Sequence, residues 1–206
     1  MDQGCCECLK ELLRFVLIRT APVRVGIKPG ELLRVKKCLR ASGCHGEICV
    51  HQDEALRALA LPYLTLRDTP IDSLLLFYHA ECMERLLDRH EVRQLLAPFG
   101  YPLAASAPLR FFERLEERFK EDTFPHEVGI FLGYPLKDVE GFLYRLPETH
   151  VSGARWRVFG EPTESLMQMK AHCCVEQAAE RILATSPTVE VFYNTLRSSF
   201  RNRSVT

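Results

Sequence analysis

Residues 63–79, YLTLRDTPIDSLLLFYH, place two runs rich in Leu, Phe and Tyr on either side of Asp68-Thr69-Pro70. Asp and Pro are turn formers, and flanking runs of this composition are strands, so Tyr63–Leu66 and Ser73–His79 are expected to pair as an antiparallel hairpin. Most of what surrounds the hairpin has helical spacing. Leu9, Leu12, Leu13 and Val16 share one face of an opening helix over 7–18. Further helices are expected at 29–39, with Pro29 in the first turn, from Asp53 to Ala60, and at 81–88 and 91–97. Pro108 starts another helical run, 123–146 reads as helix, tight turn, helix, and a long helix covers about 162–184. Short strands are expected at Val23–Ile27, Glu47–His51 and Arg155–Phe159. The fold class that follows is α/β (or α+β), a small sheet covered by several helices, with a helix-rich C-terminal half.

A chain of 206 residues suits one domain, here 1–185 with a joint near 103–108, followed by an extension over 186–206 that opens with a short helix and ends basic and polar. The 27 basic and 27 acidic side chains balance, which argues against a large electrostatic surface for nucleic acid or an anionic membrane. A hydrophobic content of 47% is too high for disorder over most of the length, and no apolar run reaches the ~20 residues of a membrane span. Arg14 interrupts the one apolar stretch near the N-terminus, so no export signal is read and a cytoplasmic location with reduced thiols is expected. The nine cysteines make the chain cysteine-rich, as suits an anaerobe or a strongly reducing cell. Cys44, His45, Cys49 and His51 are the nearest approach to a metal set. They lack paired Cys-x-x-Cys knuckles, and Cys5, Cys6 and Cys8 are too close together to ligate one ion without strain. Free thiols are the preferred reading, with no metal.

The block PHEVGIFLGYPLKDVEGF (125–142) resembles the signature of an uncharacterised bacterial family, domain of unknown function 3793. APVRVGIKPGELL (21–33), LLLFYHAECMERLL with LLAPFGYP (74–102) and RWRVFGEP (155–162) agree with that family in order. The resemblance spans about 9–180. It departs at Thr20, where a cysteine is common, and at Arg24, which breaks an apolar stretch. The resemblance implies no reaction. It implies an iron or low-potential redox setting, because genes of the family often stand near those for flavodoxin and ferrous-iron transport.

Several residues carry chemistry of their own. His126 and Glu127 are expected in the first turn of a helix, whose unpaired N–H groups favour anions and disfavour an imidazolium. Lys28 lies in Gly26-Ile27-Lys28-Pro29-Gly30, read as a strand-to-helix junction, where it could meet a carboxylate or phosphate. Tyr134, Asp138 and Trp156 are candidates to line a pocket with them. Three function classes follow. The favoured one is a ligand-binding or regulatory module, with a small molecule or a protein as partner, built on Lys28, His126, Glu127, Tyr134 and Trp156. The second is an enzyme using His126 as general base, with Lys28 or Tyr134 as helper, although no cofactor fingerprint or reaction motif is present. The third is a helix-turn-helix DNA binder over 126–146, whose second helix sets Lys137 and Arg145 against Asp138 and Glu140 and so is nearly neutral.

Overall fold

In the computed structural model, residues 3–37, 50–104 and 108–200 are described. Helix α1 (Gln3–Arg19) ends where the Thr20 hydroxyl donates to the Val16 carbonyl at 2.7 Å. Pro22 then sits in the first turn of a four-residue helix, α2 (Ala21–Arg24), so the expected strand over 23–27 is a helical turn and a loop. Strand β1 (Gly30–Lys36) follows, where a helix was expected. ELLRVKK has good helix propensity, but its partner lies far along the chain, and tertiary pairing overrides that weak preference.

Helix α3 (Val50–Ala58) contains Val50 and His51 in helical backbone, which replaces the end of the strand expected over 47–51; residues 47–49 lie outside the described residues. The hairpin forms as expected, β2 (Tyr63–Asp68) against β3 (Asp72–Tyr78). The Thr69 hydroxyl accepts from the Asp72 N–H at 3.0 Å within the turn. β1 pairs antiparallel with the other edge of β3, Gly30 opposite Tyr78 through Lys36 opposite Asp72, and the sheet order is β1-β3-β2.

Helices α4 (Ala80–Asp88) and α5 (His90–Leu96) come next, then α6 (Pro108–Arg118). The expected helix-turn-helix is a single turn, α7 (Val128–Phe131), followed by α8 (Leu136–Leu143). A small ladder pairs β4 (Glu148–Thr149) with β5 (Val158–Phe159), the only part of 155–159 that is strand. The chain closes with α9 (Thr163–Thr185) and α10 (Val189–Phe200).

The three-stranded sheet is covered on both faces. Leu74 and Leu76 face a cluster with Met83, Leu96, Phe111, Leu115 and Phe131, contributed by α4–α7. Leu75 and Phe77 alternate to the other face with Leu33 and Val35, against Val16, Leu56, Val175, Ala179, Phe192 and Leu196 from α1, α3, α9 and α10. Each fully buried large side chain contributes roughly 1.5–3 kcal/mol of transfer free energy, so the two clusters are the main drive to fold. Among the described residues no helix is long and apolar enough to cross a membrane.

Candidate functional site

Two glycine-bearing turns meet at the start of β1. Gly26 has φ +76, and its carbonyl accepts from the Cys82 thiol at 3.2 Å, while the His79 N–H donates to the Pro29 carbonyl at 2.9 Å. Burial pushes the Cys82 thiol up, which keeps it protonated as the donor. The second turn, Leu132-Gly133-Tyr134, follows α7. A Cβ on Gly133, at φ +73, would stand 2.4 Å from the Pro29 Cδ, and one on Gly30 would stand 2.7 Å from the Phe131 carbonyl oxygen. Only glycine lets these backbones touch. The turn thereby delivers Tyr134 to the side of Lys28.

Tyr134 stacks on Trp156, with centroids 4.4 Å apart and planes 16° from parallel. Trp156 is fixed in turn by its indole N–H, which donates to Asp138 Oδ2 at 2.9 Å. Asp138, in the first turn of α8, gathers donors. Oδ2 also accepts from the Ser165 hydroxyl at 2.6 Å, and Oδ1 accepts from the Phe159 N–H at 2.9 Å and from Lys137 Nζ at 2.6 Å. Burial alone would raise its pKa, but these donors outweigh burial and leave it below the ordinary aspartate value.

The stacked pair, with Leu32 and Leu132, forms a wall shared by two cavities. On one side is a polar cavity of about 140 Å³, where Arg19, Lys28, Glu31, Arg155 and His172 converge. Lys28 Nζ pairs with Glu31, and Arg19 donates to the same carboxylate at 2.6 Å. Glu176 then bridges Arg19 at 3.4 Å and Arg155 at 2.8 Å. The His172 pKa is lowered to about 4, first by burial and then by the nearby Lys28 charge; Glu31 opposes the shift, Arg155 adds to it, and a hydrogen bond with the Ile27 backbone again opposes it. The Tyr134 hydroxyl is pushed up by burial and by the Glu31 charge, so it stays protonated.

On the other side is an apolar cleft of about 300 Å³, lined by Phe124, His126, Val128, Gly129, Val139 and Phe142. Gly129 leaves the floor open: a Cβ there would lie 3.2 Å from both the Tyr134 ring and Val139. His126 is exposed and held between Phe124 at 5.4 Å and Phe142 at 4.6 Å. No carboxylate or carbonyl among the described residues hydrogen-bonds its ring.

Lys28 and His126 therefore line adjacent cavities, with Tyr134 and Trp156 common to both. Glu127 lines neither. It is fully buried, precedes α7 rather than lying within its first turn, and pairs with Arg118 at 2.7 Å. Arg19, Glu31, Arg155, His172 and Glu176 are functional candidates that sequence reasoning missed. The available signal was on α9, where Ser165 and His172 share a buried stripe with Met169, Val175 and Ala179. Cys44, His45 and Cys49 lie outside the described residues, as does the side chain of His51. Among the described residues no group of three or more His, Cys, Asp or Glu side chains is arranged to hold a metal ion.

No curated protein and no solved structure matches this chain. The family model described as protein of unknown function (DUF3793) matches residues 16–191, a span that takes in both turns, the stacked wall and both cavities, and the chain belongs to that family.

Proposed function

We propose that this protein is a ligand-binding or regulatory module, and that the body of its ligand lies in the apolar cleft against the Tyr134–Trp156 wall. The observation that carries the reading is the anchoring of that wall. Trp156 is only half-buried, yet it is stacked on one face and its N–H is held by the buried Asp138 carboxylate, which fixes a large aromatic face beside an open cleft. Apolar walls with a few fixed polar groups are the usual make-up of small-molecule sites. An acid–base enzyme has less support, because no group among the described residues orients the His126 ring in the way a general base uses. A DNA-binding role has less support too. Lys137, a would-be phosphate contact, donates inward to Asp138, to the Phe159 carbonyl at 2.9 Å and to Ser165 at 2.8 Å.

Trp156 is the sole tryptophan, so its indole N–H gives one isolated cross-peak in a proton–nitrogen correlation spectrum. Titration with small apolar probes such as 2-phenylethanol should move that peak. If no probe of a varied panel moves it, the reading is wrong. An iron or low-potential redox role is a further part of the proposal. Elemental analysis and native mass spectrometry of protein purified without oxygen test it, and an absence of both iron and redox-active small molecules would remove it.

A further inference from the structure

We infer that the ligand of the cleft is a compact, uncharged molecule, largely apolar and carrying one hydrogen-bonding group, and that His126 is the residue that meets this group. The inference rests on the cleft reading and names the chemistry of its ligand.

The inner walls of the cleft offer mostly carbon: Leu32, Val128, Leu132 and Val139 line them together with the Tyr134 and Trp156 rings. The polar groups set among these walls are already engaged. A carboxylate has about four lone-pair sites, and Asp138 gives its own to the Trp156 N–H, the Ser165 hydroxyl, the Phe159 N–H and Lys137 Nζ. It has none left for a ligand ammonium or N–H, and the indole N–H is spent in the same set. The charges that act on the Tyr134 hydroxyl, those of Glu31, Arg155 and Arg19, line the polar cavity, so that hydroxyl belongs to the far side of the wall. Arg157 pairs with Glu148 at 2.9 Å, and at 63% side-chain exposure its charge is screened by water. A charged ligand would therefore leave water for walls without a counter-charge, a cost that an uncharged one avoids. His126 differs from the rest. Its ring lies between those of Phe124 and Phe142, and no carboxylate or carbonyl among the described residues occupies its nitrogens. Imidazole nitrogens donate or accept, so a hydroxyl, carbonyl or amide of the ligand finds a partner there. A volume of about 300 Å³ stands at the small end of such sites, which limits the ligand to a compact molecule.

The test follows the Trp156 indole peak while 2-phenylethanol, ethylbenzene, phenylacetate and 2-phenylethylammonium are titrated separately at about pH 8, where the acid and the amine both carry full charge. The alcohol is expected to bind at least about tenfold more tightly than either ion. The affinity of the alcohol relative to ethylbenzene is then compared between wild type and two variants at this exposed position, so that general hydrophobicity cancels. His126→Phe should lower that ratio roughly two- to tenfold, the range of one neutral hydrogen bond. His126→Gln, which keeps a donor and an acceptor, should retain most of it. Binding of either ion as tight as that of the alcohol would overturn the uncharged class and leave the cleft reading standing. A ratio unchanged in His126→Phe, or lowered equally in both variants, would overturn the role of His126. If none of the four probes moves the peak, the cleft reading falls and takes this inference with it.

Discussion

Replacing Asp138 by Asn removes one charge and turns one acceptor into a donor at a point where four donors meet. Ser165 can rotate its hydroxyl to accept from the new amide, so the amide nitrogen would take the place of Oδ2. The Trp156 N–H cannot reverse and loses its partner, and Lys137 keeps a hydrogen bond but loses the ionic part of it. An unsatisfied buried donor costs about 1–3 kcal/mol and a weakened charged pair adds roughly another 1–2, so about 3–4 kcal/mol is expected. For a domain of this size that corresponds to a fall in Tm of roughly 6–16 °C. Urea unfolding followed by Trp156 fluorescence measures it. The pH dependence carries a sign of its own. The folded pKa of Asp138 lies below the ordinary value of 3.8, so its contribution is fully present above that value and is lost as pH falls through the folded one. The gap between wild type and variant should hold from neutrality to about pH 5 and narrow only in stronger acid. A gap under about 1 kcal/mol, or one equally wide in strong acid, would refute the assignment of Asp138 as the anchor of the wall.

His172 gives the second pH effect. Its folded pKa of about 4 lies below the ordinary 6.5, so stability is present above 6.5 and is lost as pH falls towards 4, by at most about 3 kcal/mol. Unfolding free energies of wild type and His172→Gln across that range should converge as the pH falls, and parallel curves would count against a buried neutral imidazole. Gly141→Ala places a Cβ 2.2 Å from the Phe159 ring and should cost about 1–3 kcal/mol by overpacking, read as a lowered Tm; an unchanged Tm would mean that α8 and β5 are not in contact there.

The hairpin was legible because its signals are local: a turn between two apolar runs settles the pairing of β2 with β3 without reference to distant parts of the chain. β1 was not, because ELLRVKK becomes a strand only when β3 offers it an edge, and no feature within the segment announces that. The site divides in the same way. Lys28, Tyr134 and Trp156 stand in or beside glycine- and proline-bearing turns and were visible as unusual. Arg19, Glu31 and His172 sit at helix and strand positions whose charge looks ordinary until the sheet and α9 bring them together. Glu127 was misplaced for a related reason. An acidic residue near a helix start is routinely solvated, and what draws this one inside is Arg118 on the preceding helix.

α10 changes what counts as the minimal unit. The family span stops at residue 191, yet Phe192 and Leu196, next on the same helix, have no accessible surface, and the Tyr193 hydroxyl donates to the Leu59 carbonyl at 3.0 Å. A fragment trimmed to the family's limits would leave a greasy trough open along α3 and α9. A self-sufficient version of this protein has to carry its own closing helix through to residue 200.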